Sequence, residues 1–161
     1  ELPMTIKTDR WYENAVSVER GPLVYALKIE EQWVEKKSYS PKYGETWWEV
    51  YPQTSWNYAL YQKDLDNISE AYEVVIDEEK LSSDWYWSLE TTPVSIKARG
   101  TKMEDWTMDK GHAGPIPYSK AFYKCTHKST SRKSGGNWEE IVLVPYGATT
   151  LRISEFPVVT K

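Results

Sequence analysis

Arg20-Gly21-Pro22-Leu23-Val24-Tyr25-Ala26-Leu27-Lys28-Ile29 is the stretch on which the fold turns. Leu23, Tyr25, Leu27 and Ile29 recur at every second residue, and Val24 and Ala26 between them are also apolar. In an extended chain successive side chains point to opposite faces, so this pattern predicts a strand apolar on both sides, inside a sheet and not at its rim. Gly21-Pro22 just before it is turn chemistry, and proline at a strand start is where its missing N–H does least harm.

The same period of two continues outward. Met4–Thr8 and Ala15–Glu19 alternate. The first strand, Leu2–Thr8, is expected to pair antiparallel with Ala15–Arg20 through a turn at Glu13-Asn14, leaving Trp11 and Tyr12 exposed beside it. Further strands are predicted at Trp47–Tyr51, Tyr58–Gln62, Ala71–Ile76, Val94–Arg99, Glu139–Val144 and Thr150–Glu155. The last two read as a hairpin about Pro145-Tyr146-Gly147, with Ile141 and Leu143 on one face and Leu151 and Ile153 returning. Asp77–Leu81, with Asp77 as N-cap, is the one short helix expected. Residues 30–46 fit no strand pattern. Residues 109–138 read as a long loop region, ordered over Gly111–Pro117 by its prolines and mobile over Lys128–Asn137. Many short strands, turn signals and no crossover helices predict an all-β chain, an antiparallel β-sandwich or jelly roll, with 1–161 as one domain. No internal repeat points to a propeller or solenoid.

Composition narrows the function classes. Of 161 residues, 40% are hydrophobic, and nine Trp and twelve Tyr stand against two Phe. Trp and Tyr join a large apolar body to a polar tip and favour places that are half core, half wet. Such aromatics suit a sugar-binding surface, and equally a sandwich core or the cover of a neighbouring domain. The net charge of −4 and pI near 5.3 lack the basic footprint of a nucleic-acid binder. The one basic cluster, Lys124, Lys128, Arg132 and Lys133, lies in a Ser/Thr/Gly-rich stretch and reads as a solvated loop. No apolar run reaches the ~20 residues of a membrane helix, so no membrane partner is expected. Glu1-Leu-Pro-Met carries no signal-peptide pattern. One cysteine, Cys125, forms no internal disulfide, and the compartment stays open between cytoplasm, periplasm and secretion.

Catalytic chemistry finds little footing. Glu104 with Asp105 and Glu139 with Glu140 are neighbours in sequence, so in a strand each pair points to opposite faces. Glu45 and Glu49 share parity at an uncertain strand start. Cys125, His127 and His112 lack zinc-site spacing, and nothing activates Cys125 as a nucleophile. Gly135-Gly136 belongs to no phosphate loop. No catalytic, cofactor or metal residue is therefore assigned. What remains is aromatic: Trp47, Trp48, Trp56, Tyr58, Trp85, Trp87 and Trp106 are the candidate contacts, for a carbohydrate or for a neighbouring domain. In a strand Trp47 and Trp48 would face opposite ways, while Trp85 and Trp87 would share a face. The plainer expectation is that most of these rings close the sandwich core or cover a neighbouring domain.

One further signal is a resemblance. Leu2-Pro3-Met4 followed by Val16-Ser17-Val18-Glu19-Arg20-Gly21-Pro22-Leu23-Val24-Tyr25-Ala26-Leu27 is similar to the C-terminal region of glycoside hydrolase family 127, the β-L-arabinofuranosidase-like proteins. Similar also are Tyr51-Pro52-x-Thr54-x-Trp56-Asn57-Tyr58-Ala59-Leu60, Pro93-Val94 leading to Trp106-Thr107, and Ala113-Gly114-Pro115-x-Pro117. The match closes on Val144-Pro145-Tyr146-Gly147 and Leu151-Arg152-Ile153-x-x-Phe156-Pro157. The segment 120–138 has no counterpart. The resemblance implies a larger enzyme with an (α/α)6-barrel ahead of Glu1 and β-sandwich domains after it. The zinc, the cysteine nucleophile and the acid glutamate would lie in that barrel, and Cys125 matches none of their motifs. The chain is then expected to be a non-catalytic accessory domain partnered by the upstream barrel. The alternatives are a carbohydrate-binding module for plant-type oligosaccharides and a stand-alone hydrolase.

Overall fold

The computed structural model describes residues 3–40, 42, 44–119 and 138–160. Twelve strands are formed among them. They are β1 (Ile6–Arg10), β2 (Val16–Arg20), β3 (Leu23–Leu27), β4 (Glu31–Lys37), β5 (Thr46–Pro52) and β6 (Tyr58–Tyr61), then β7 (Glu73–Ile76), β8 (Val94–Lys102), β9 (Met108–Asp109), β10 (His112–Ala113), β11 (Glu139–Pro145) and β12 (Val158–Val159). Two single-turn helices, α1 (Gln62–Leu65) and α2 (Ile68–Ala71), separate β6 from β7. The fold is all-β and sandwich-like, as the alternation predicts.

The strand that decides the fold is interior. β3 pairs with β2 on one side and β11 on the other, and Tyr25, Ala26 and Leu27 are buried. Gly21 and Pro22 form the two-residue turn before it, with Arg20 opposite Leu23. Gly21 sits at φ +58°, and a side chain there would also meet the Met4 sulfur at 2.6 Å. Right-twisted hairpins favour a positive φ at this first turn position, where glycine is least strained. β1 pairs with β2 from Ile6↔Arg20 to Arg10↔Val16, and positive φ at Glu13 and Asn14 reverses the chain between them.

The main sheet runs β1-β2-β3-β11-β8-β6-β12, with β7 also on β8. All its pairs are antiparallel except β6 with β12. β6 and β7 lie end to end on one edge of β8, because Gly100 pairs with Leu60 and Ile96 with Val74 while β11 holds the opposite edge. α1 and α2 are thus a ten-residue excursion, 62–71, inside what is geometrically one strand. Asp64, buried on α1, is held there by a two-pronged hydrogen-bonded ion pair with Arg99 of β8.

This sheet is rolled. β2 and β6 stand four strands apart, which in a flat sheet is about 19 Å. Yet Val16 N–H donates to the Phe156 carbonyl at 2.9 Å, and Leu60 N–H to the next carbonyl, that of Pro157, also at 2.9 Å. One segment, 153–159, therefore touches strands far apart in the sheet order. It begins beside β3, where Leu27 N–H reaches Ile153 O at 2.8 Å, and ends as β12 on β6. Ser119 reinforces the closure, donating its N–H to Glu13 O and accepting Val158 N–H on its hydroxyl, each at 2.9 Å. Inside the roll, Val16, Val18, Tyr25, Leu27, Leu60, Ile96, Ile141, Leu143 and Phe156 make one apolar cluster.

Several expected elements differ. Thr150–Glu155 is not a strand and makes no hairpin with β11. After a 3-10 turn at Tyr146–Ala148, the segment crosses the open side of the sheet, where Leu151 and Ile153 pack on the core. The expected strand Ala71–Ile76 begins only at Glu73, because residues 68–71 are helical. Asp77–Leu81 is instead a 3-10 turn at Glu79–Ser82 without a side-chain cap, Asp77 being near Lys80. Residues 30–46 do contain a strand, β4, which pairs along its whole length with β5. Within the expected loop, Lys110 and Gly111, both at positive φ, turn a small hairpin between β9 and β10. The mobile stretch expected at Lys128–Asn137, the basic cluster, Cys125, His127 and Gly135-Gly136 lie outside the described residues.

Candidate functional site

β4 and β5 form a ribbon that pairs with no other described strand, and none of its residues is buried. A lone two-stranded hairpin is marginal in water, so something must fasten its base. Glu31 does so. Its carboxylate accepts hydrogen bonds from Thr150 N at 2.7 Å, Leu151 N at 2.9 Å and the Thr149 hydroxyl at 3.0 Å. A fourth comes from Trp33 Nε1 at 3.2 Å. Partial burial alone would raise the Glu31 carboxyl, but these donors outweigh it and hold the group below its ordinary value.

Beside this pin, the base of β5, the β9–β10 turn and Leu151–Ile153 enclose a cleft of about 430 Å³. Tyr51, Trp56 and Met108 supply apolar wall, and Glu49, His112 and Arg152 supply polar groups. Each is positioned by a neighbour. The Tyr51 hydroxyl donates to Glu49, which also meets Lys36 at 3.2 Å, and both contacts favour the ionised Glu49 carboxylate. Arg152 Nε donates to the carbonyls of Thr149 at 2.9 Å and Tyr146 at 3.2 Å, and its guanidinium lies 4.7 Å from the Tyr146 ring centre. Trp56 meets Trp106 edge-on at 5.1 Å.

The seven aromatic candidates separate into three groups. Tyr58 and Trp106 are buried, 7% and 4% exposed, and belong to the interior. Their polar tips are bonded within the chain: the Tyr58 hydroxyl donates to Glu139 at 2.6 Å, and Trp106 Nε1 to the Gly114 carbonyl at 2.9 Å. Trp56 is half-buried and lines the cleft. Trp47, Trp48, Trp85 and Trp87 are exposed. Trp47 and Trp48 lie in β5 and so face opposite sides of the ribbon, Trp48 meeting Trp33 at 6.3 Å and 66° between planes. Trp85 and Trp87 sit in an irregular loop, so the shared strand face expected for them is not formed. The Trp87 ring instead lies on Gly147, where a Cβ would come within 2.9 Å of it.

A chain of contacts links four of the aromatics, Trp87, Tyr146, Tyr51 and Trp56. Trp87 covers Gly147, Tyr146 next to it stacks with Arg152, and Arg152 shares the cleft with Tyr51 and Trp56. Sequence patterns had no way to bring Arg152, Met108, His112 and Glu31 here, since they come from three separate segments, β4, the β9–β10 hairpin and 151–153. For acid–base chemistry the site is poor. Glu49 is the one carboxylate among the described residues lining the cleft, whereas glycoside hydrolysis ordinarily uses a facing pair. Glu139 is committed to Tyr58 and Lys102, at 2.6 and 3.0 Å. Among the described residues no three His, Cys, Asp or Glu side chains gather to hold a metal ion, and no helix is long and apolar enough to cross a membrane. Comparison of the chain with protein families, curated proteins and solved structures finds no match.

Proposed function

We propose that this chain is a non-catalytic accessory domain of a carbohydrate-degrading enzyme of the β-L-arabinofuranosidase-like kind, docking on its catalytic barrel. The observation that carries the reading is the connected surface from Trp87 through Tyr146 and Arg152 to Tyr51 and Trp56 around the cleft. Exposed aromatic surface interleaved with an arginine is the composition of protein interfaces, and larger apolar patches on soluble domains mark places where something binds. The enzyme class comes from the resemblance in sequence alone. A sugar platform is the weaker reading, because it needs coplanar exposed rings, and the exposed pair Trp33 and Trp48 stands edge to face at 66°.

The test uses the chain with the separately expressed upstream barrel. Titration calorimetry should report binding that Trp87→Ala and Tyr51→Ala each weaken by roughly tenfold, as central aromatic contacts do. The same chain should show no binding of arabinan or pectic oligosaccharides and no hydrolysis of aryl arabinofuranosides. Oligosaccharide binding lost on Trp56→Ala would replace this reading with a carbohydrate-binding module. Turnover lost on mutating Glu49 would make it an enzyme.

A further inference from the structure

Arg152 stands in the cleft wall with part of its guanidinium unused. Its Nε donates to the carbonyls of Thr149 and Tyr146, and the group lies against the Tyr146 ring. The turn that supplies the Tyr146 carbonyl is itself covered, since the Trp87 ring lies on Gly147. The guanidinium is thus anchored through one nitrogen and one face. Its Nη1 and Nη2 make no hydrogen bond or ion pair with any described residue.

We propose that the cleft binds a carboxylate carried on an apolar body, with the acid on the Nη1–Nη2 fork of Arg152 and the body against Tyr51, Trp56 and Met108. Three observations select that class. The planar fork of a guanidinium matches the two oxygens of a carboxylate, and a fork already held in place loses little freedom on binding. The space, about 430 Å³, is of the size that takes a small molecule, and its wall beyond the arginine is mainly apolar. The third is Glu49. Its carboxylate is engaged by Tyr51 and Lys36 but keeps its charge, so a second negative charge on the ligand would meet a like charge in the same wall. A monoanion is therefore favoured over a dianion. Glu31, held beside the same segment, turns its carboxylate to the Thr150 and Leu151 N–H groups. The inference needs no docked domain and goes beyond the docking reading, because the acid can be a small molecule or the end of a partner's side chain.

Titration of the whole chain with phenylacetate, followed by nuclear magnetic resonance of the Trp56 indole and the His112 ring, tests it. Saturable shifts with a dissociation constant of about a millimolar or below are expected. Phenylacetamide, the neutral isostere, should bind at least about tenfold more weakly, and so should phenyl phosphate. Arg152→Gln should erase the preference for acid over amide. Arg152→Lys, which keeps the charge but not the fork, should restore only part of it. Glu49→Gln should admit phenyl phosphate, a gain that a disturbed fold would not produce. With the upstream barrel added, displacement of the acid makes the natural occupant a partner's side chain, and a ternary complex makes it a small acid. The proposal is overturned by the absence of saturable shifts, by equal binding of acid and amide, or by an acid preference that survives Arg152→Gln. Each of these is read on the chain alone, whether or not the barrel docks.

Discussion

Leu27 has its N–H on one segment and its side chain in another, and this double role fixes its worth. It pairs with Leu143, its N–H reaches Ile153 O, and its side chain is 2% exposed in the central cluster. Leu27→Ala should cost about 2–5 kcal/mol, read as a lower denaturant midpoint at unchanged slope, as for other buried leucines. Asp64 offers a second test. Asp64→Ala leaves Arg99 without its partner, yet the Arg99 side chain is 43% exposed and can turn to water. The loss should stay near 1–3 kcal/mol, below that of a fully buried pair. Residue by residue, the core was the legible part, because burial of Tyr25 and Leu27 follows directly from alternation. The aromatic candidates were not separable in sequence. Tyr58 and Trp106 turn inward because Glu139 and the Gly114 carbonyl satisfy their polar tips, and those partners lie 81 and eight residues away.

At the scale of elements, the instructive cases are β4 and Thr150–Glu155. β4 escapes a reading by period because neither of its faces is buried, so no apolar alternation is imposed. Its extended form comes from β5 opposite. Thr150–Glu155 fails the other way: Leu151 and Ile153 alternate because both cover the core, but the segment crosses the sheet and finds no ladder. Alternation reports burial on one side, not a neighbour in a ladder. The Glu31 pin then makes the ribbon sensitive to acid. Because the folded carboxyl titrates below its unfolded value near 4.3, its contribution is fully present above that value. It is lost as the pH falls through the lower, folded pKa. Amide exchange over 31–37, corrected for intrinsic rates, should therefore quicken on acidification below about pH 4. Glu31→Gln should give the quickened exchange already at neutral pH and remove most of the acid response. The rim strand β1, which among the described strands pairs only with β2, should also exchange faster than β3, since an edge opens at lower free energy than the interior. Equal protection of β1 and β3 would show that β1 is held by more than its single neighbour.

For the molecule as a whole, the sequence's alternation leads to a sandwich-like fold but not to the way the sheet closes, and closure yields the sharpest prediction. Phe156 is 0% exposed, and its N–H and C=O exchange hydrogen bonds of 2.9 Å with Val16. Two residues later Val158 pairs with Leu60. The ring thus lies where the segment leaves β2 for β6, and its removal opens a cavity at the seam of the roll. Phe156→Ala should cost about 3–5 kcal/mol, the range for a buried aromatic truncation. The pattern matters more than the sum. If 153–159 is the clasp, amides of Val16, Leu60 and Val158 should lose protection together and before those of Ile96, Ala98 and Ile141, which pair directly within β8 and β11. A dye that binds exposed apolar surface should then bind the variant under conditions where it is still folded. Uniform loss of protection in all of these amides would mean that the sheet and its clasp open as one unit. Protection lost at Phe156 alone would mean that the roll is held by the sheet itself, and that the closing segment only lies upon it.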